Sequence, residues 1–163
     1  MDYPAGLTSP ILKETAATCQ LTFSYRHLNP DNIKATLTVN LYRHRIQGSF
    51  LKPLLTIEDK TNWKNYTVNI GQLSAGYQIL ITGNSTATLL LRPYIDMCLD
   101  QIIFYGCDAN TIPVTPVIDE NTVPCNFEEG TCGWFDWNAG AEKKLDWVLF
   151  YNAKFNLFFL IWM

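Results

Sequence analysis

Few residues in this chain have types and spacing that could do chemistry. The run Gly83-Asn84-Ser85-Thr86-Ala87 is superficially like the G-x-S-x-G elbow that exposes a nucleophilic serine. That elbow needs a strand, a sharp turn and a helix, and it ends in glycine. Here the run leads into Leu89-Leu90-Leu91, a strand-like stretch. The two histidines, His27 and His44, stand in no H-E-x-x-H zinc pattern, and no glycine-rich phosphate loop occurs. The chain therefore reads as no enzyme. Two other patterns carry chemistry of another kind. Asn65-Tyr66-Thr67 and Asn84-Ser85-Thr86 satisfy the N-glycosylation rule. The five cysteines, Cys19, Cys98, Cys107, Cys125 and Cys132, are many for a reducing compartment and point to an oxidising one. One of the five is left over. Four cysteines pair in three ways, so fifteen frameworks are open on counting alone.

The elements that position these residues follow a period of two. In Cys19 to Arg26 apolar and polar residues alternate, as in a half-buried strand. Ile33, Ala35, Leu37, Val39 and Leu41 continue the pattern after the turn signal Asn29-Pro30-Asp31-Asn32. Tyr66, Val68 and Ile70 make a third strand, Tyr77 to Thr82 a fourth, and Thr86 to Leu91 a fifth. Gly83-Asn84 reads as the hairpin turn between the last two, which places Asn84 in a turn. Asn65 has opposite parity to Tyr66 and is expected to face solvent. Leu99 to Tyr105 reads as a further strand. No segment holds a helical period. Many antiparallel strands with turn punctuation imply an all-β protein, a β-sandwich or a jelly roll.

Composition fits a globular chain of 163 residues, 48% hydrophobic, with net charge −3. That weakly acidic balance argues against nucleic acid as a partner. The densest basic spot, Arg43-His44-Arg45, reads as a solvated strand end. No export signal is visible at Met1-Asp2-Tyr3-Pro4, so a missing natural N-terminus is expected for a disulfide-rich chain. Trp147 to Met163 is apolar but interrupted by Asn152, Lys154 and Asn156. Spanning a bilayer takes about twenty apolar residues, so this run reads as an apolar tail.

The run Cys125-Asn126-Phe127-Glu128, followed by Cys132-Gly133-Trp134, resembles the opening of a MAM domain, the extracellular module of meprins, neuropilins and receptor-type tyrosine phosphatases. Upstream, Leu7-Thr8-Ser9-Pro10, Cys19-Gln20-Leu21-Thr22-Phe23-Ser24-Tyr25, Trp63, and Leu99-Asp100-Gln101-Ile102 with Gly106-Cys107 are similar to later motifs of the same family. Gln101 stands where the family has a second aspartate. The resemblance implies residues 6–107 as the later part of a first domain and 108–124 as a proline-containing linker. It further implies 125–149 as the opening of a second domain, with 150–163 a tail of uncertain origin. The resemblance implies an antiparallel jelly-roll β-sandwich, incomplete in the first domain, and strands beside the missing ones are expected to present open edges. The family framework implies the disulfides Cys19–Cys107 and Cys125–Cys132, with Cys98 as the free thiol. Some members hold Ca²⁺ between acidic residues of the opening and closing strands, which makes Asp100 the candidate metal ligand, with Glu128 its counterpart in the second domain. No other cofactor is implied.

The function the resemblance implies is a non-catalytic extracellular adhesion or protein-recognition module of a secreted or membrane-associated multidomain protein. Its partner is a protein, a second copy included, with membrane association through other parts of the parent. The alternative is an accessory dimerisation or targeting domain of an ectoenzyme such as a secreted metalloprotease. Glycan binding is a third reading, resting on architecture alone.

Overall fold

The computed structural model describes residues 5–28, 35–43, 49–58, 61–85, 96–109, 127, 132–137, 147–152 and 157–162. Ten strands run in order: β1 (Ala5–Thr8), β2 (Gln20–Leu28), β3 (Ala35–Arg43), β4 (Phe50–Ile57), β5 (Thr61–Asn69), β6 (Gln78–Ser85), β7 (Asp96–Tyr105), β8 (Phe135–Trp137), β9 (Trp147–Asn152) and β10 (Leu157–Trp162). No helix occurs among the described residues. The strands form two five-stranded sheets, β4-β3-β6-β1-β8 and β5-β2-β7-β10-β9. Every ladder is antiparallel. The architecture is the all-β sandwich that the period of two implies, and neither sheet closes into a barrel.

Alternation explains the core. In β3 the odd residues Ala35, Leu37, Val39 and Leu41 are buried, while Thr36 and Thr38 on the other face are half-buried. Leu37 lies opposite Gly83 and Val39 opposite Ile81, so the inward row continues across β6. The facing sheet contributes Leu21, Phe23, Tyr25, Val68, Met97, Leu99 and Ile102. A core side chain of this size, when buried, stabilises the fold by about 1.5–3 kcal/mol. Segments between strands are tied by side chains as well as backbone. Thr15 Oγ1 donates to the Gly71 carbonyl at 2.8 Å and accepts the Leu73 N–H at 3.0 Å. Ser9, fully buried, accepts the Ile79 N–H at 2.9 Å.

Two expectations are corrected. Gly83-Asn84 is not a hairpin turn. Strand β6 runs through both to Ser85, with Gly83 between Leu37 of β3 and Ala5 of β1. Pairing on both sides outweighs the local turn preference of Gly-Asn, because a central strand satisfies its backbone on two ladders. Residues 86–91, read as the next strand, lie outside those described, as does Ile33. The second correction concerns the edges. β1 pairs with β6 and with β8, and β7 pairs with β2 and with β10. Open edges are expected beside the missing strands, whereas the sides of β1 and β7 away from β6 and β2 are occupied by residues from 135 onward. Within the apolar run from Trp147, β9 and β10 form an antiparallel pair of six residues each.

Candidate functional site

Cys19 precedes β2 and Cys107 follows β7. These strands are neighbours, and Gln20 lies opposite Tyr105. The register therefore brings both cysteines to one end of the sheet, where they form a disulfide across 88 positions of sequence. The turn around it is fastened further. Thr18 Oγ1 donates to the Gly106 carbonyl at 2.9 Å, and the Ala16 N–H donates to the Cys107 carbonyl at 3.2 Å. Gly106 has φ +58°, and a Cβ there would meet the Thr18 carbonyl at 3.2 Å. Both facts favour glycine, because side-chain-bearing residues resist the left-handed region. Cys132 is also disulfide-bonded, and Cys125 lies outside the described residues. Cys98 stands outside any disulfide and is buried. The guanidinium Nη2 of Arg26 approaches its sulfur at 3.6 Å.

Tyr25 is fully buried on the inward face of β2, beside His27 and Tyr66, with ring centroids 6.5 and 6.2 Å away. Its hydroxyl has no hydrogen-bond partner among the described residues. Burial, with smaller contributions from Tyr66 and Cys98, raises its pKa well above the usual 10.0. The folded state therefore keeps this phenol neutral where the unfolded chain ionises. The stability linked to it is fully present below pH ~10 and is lost as pH rises toward the folded value, at up to ~1.4 kcal/mol per pH unit. Urea unfolding of Tyr25→Phe between pH 9 and 11 is expected to show a shallower alkaline loss than the parent. Equal slopes would mean that the phenol is not shielded.

Two exposed edges could meet a partner. Strand β5 borders one sheet, and Asn62, Trp63, Lys64 and Asn65 are all exposed. Arg26 lies over the Trp63 ring at 5.4 Å, and Lys64 over Tyr66 at 5.3 Å. Strand β4 borders the other sheet and exposes Phe50 and Leu51. There Phe50 meets Tyr77 edge-on at 6.0 Å, while Arg43 covers the Tyr77 ring at 4.9 Å. Arg43 of the basic spot thus stacks on an aromatic ring, while His44 and Arg45 lie outside the described residues. Aromatic rings beside arginine are the usual anchors of protein interfaces. Nothing in the pattern of alternation signals the β4 edge, and Trp63 drew notice only through its motif.

Asn65 sits on β5 with its Oδ1 accepting the Ser24 hydroxyl at 2.7 Å. That bond engages the amide oxygen and not the nitrogen to which a glycan is linked. Asn84 is half-buried in β6 opposite Thr36, with its Oδ1 enclosed.

Ser85, the serine of the elbow-like run, lies in strand β6 opposite Ala35, so the strand–turn–helix geometry is not formed at that residue. His27 is buried in β2 and lies opposite Met97. Asp100 is 7% exposed, and its Oδ1 accepts the N–H of Gln101 at 2.7 Å. Gln101 has φ +51° within the bulge where the β2–β7 register shifts. No three His, Cys, Asp or Glu come together among the described residues. Calcium takes six to eight oxygens. Asp100 is the one carboxylate of the expected set within the described residues, and Glu128 lies outside them.

The described residues thus form a disulfide-tied antiparallel β-sandwich module with aromatic side chains at two edges. The family profile of the MAM domain, meprin/A5/mu, matches residues 2–108, and the chain belongs to that family. This is a family of extracellular, adhesion-type protein-interaction modules that are generally non-catalytic. The match ends at 108, so the Cys125 run lies outside it. Comparison with curated proteins finds no significant match.

Proposed function

We propose that this chain serves as a non-catalytic adhesion and protein-recognition module of a secreted or membrane-associated multidomain protein. The observation that carries the reading is the MAM match over a sandwich clasped by Cys19–Cys107. The edges at β4 and β5 supply the contacts, with Trp63 and Phe50 as anchors and a protein, a second copy included, as partner. The work is done outside the cell, where the disulfides persist. Asn65 carries a glycan in the secreted protein, pointing away from the core.

Protein secreted from a eukaryotic host and coated on beads tests this. Beads are expected to cluster or to hold cells, and Trp63→Ala with Phe50→Ala is expected to weaken either effect severalfold, as loss of interface anchors does. Peptide mapping of the same material is expected to find a glycan on Asn65. Folded protein that neither clusters beads nor holds cells would sink the adhesion reading. Peptide or ester hydrolysis that disappears on Ser85→Ala would overturn the non-catalytic one.

A further inference from the structure

The flank formed by Phe127 and residues 132–137, 147–152 and 157–162 has an unusual relation to the rest of the sandwich. It borders both sheets at once. Strand β8 pairs with β1 through Gly6↔Trp137, Leu7↔Asp136 and Thr8↔Phe135. Strand β10 pairs with β7 through Leu160↔Leu99, Ile161↔Cys98 and Trp162↔Met97. Each of these ladders has three register pairs, whereas β3–β6 and β2–β7 have eight each. The remaining anchor is a plug. Phe127 is fully buried and Trp134 is 4% exposed, within the same core as Leu7 and Leu99. The Trp134 ring stacks on Phe104 of β7, with centroids 6.4 Å apart. The disulfide Cys19–Cys107 joins β2 to β7 and does not hold the flank. Residues 110–126, including Pro113, Pro116 and Pro124, connect the flank to the body.

We propose that this flank is exchangeable, and that a second copy of this chain supplies it in trans, so that two copies form a reciprocal strand-swapped dimer. The accepting surface is the pair of strand edges at β1 and β7 with the slot beside Phe104. The occupant that fits it is the one seated there, the same segment from another copy. Closed and exchanged forms make identical ladders, so they differ only in the connector and in concentration. A short flexible tether holds its own flank at an effective concentration of ~mM. The ladders most readily given up are the two short ones. Exchange therefore grows with protein concentration, as it would for copies crowded on a surface.

The register supplies the test. Ile161 lies opposite Cys98, so the thiol introduced by Ile161→Cys can bond with that of Cys98 wherever β10 is docked on β7. Unlabelled and ¹⁵N-labelled full-length chains carrying Ile161→Cys are mixed equally, unfolded without reductant, refolded across a range of concentrations and then oxidised. Peptides linked through positions 98 and 161 are read by mass. The closed form joins peptides of one isotope only, whereas exchange joins both isotopes. The hybrid fraction is expected to rise about tenfold for a tenfold rise in concentration while it stays small, well below ~mM. Links of uniform isotope at every concentration would overturn the proposal. So would the absence of any 98–161 link, because the flank would then not sit on β7. The unsubstituted chain followed by sedimentation velocity over the same range must show the same growth of dimer, and monomer throughout would overturn the proposal independently.

Discussion

Replacing both cysteines of the clasp, Cys19→Ala with Cys107→Ala, is expected to lower the stability of the chain by about 4–5 kcal/mol. The bond closes a loop across 88 positions, and in the chain-entropy model a loop of that length is worth about 4–5 kcal/mol. A domain of this size has about 5–15 kcal/mol in total. The native side offsets none of the loss, because Cys19 is fully buried and alanine leaves space where sulfur packed. Backbone bonds at the same end depend on the clasp as well. The Cys19 carbonyl accepts from the N–H groups of Ile70 and Gly71 at 2.9 and 3.0 Å, and its N–H donates to Ala16 at 3.1 Å. Urea unfolding of the parent, with and without reductant, and of the double variant is the measurement. Reductant also opens the Cys132 disulfide, so parent and variant should reach a common level when both are reduced. A loss below ~1 kcal/mol would show that the sheets hold without the clasp.

Trp134→Ala carries the second large effect, about 3–5 kcal/mol, the range for truncating a buried aromatic. Trp134 is 4% exposed, whereas its neighbour Phe135 is 51% exposed on the other face of β8. Phe135→Ala is therefore the matched control and should change stability by less than ~0.5 kcal/mol. The pair separates a flank that belongs to the core from one that merely lies on it. Equal, small effects at both positions would mean that 127–137 folds apart from the sandwich. A large, cooperative loss at Trp134 alone would show one folding unit that includes the flank.

The sequence announces those strands whose two faces differ. Cys19 to Arg26 and Ala35 to Leu41 alternate because one side meets the core and the other does not, and both strands form where alternation places them. Strand β4 was not legible. Phe50-Leu51-Lys52-Pro53-Leu54-Leu55 holds no alternation, and it lies at an edge where proline is tolerated. The structure places Pro53 opposite Asn40, at the bulge where the β3–β4 register shifts, so a missing N–H breaks no regular ladder. Gly83-Asn84 shows the opposite failure, a strong local signal overruled by neighbours on both sides. For β9 and β10 the run is apolar on both parities, and period alone cannot distinguish a strand from a buried tail. Of the site, the clasp was legible only through family resemblance, since spacing left fifteen frameworks open. The aromatic–arginine pairs were not legible at all. Arg43 and Tyr77 lie 34 positions apart in sequence, and only the fold brings them together.

The clasp also decides how the module meets a pull. Tension arriving upstream of Cys19 and leaving beyond Cys107 crosses from one to the other through a covalent bond, because the two sulfurs are joined directly. Strands β2 to β7 hang from that bond as a closed loop, and they feel none of the stretch once β1 has left β6 and β10 has left β7. About 300 Å of extended chain is thereby withheld, at ~3.4 Å for each of the 88 positions. The exposed edges at β4 and β5 lie inside the loop. A partner gripping them is held by strands that keep their pairing while the line through Cys19 and Cys107 is taut. Two cysteines thus make the recognition surface a pendant on the tether rather than a link in it.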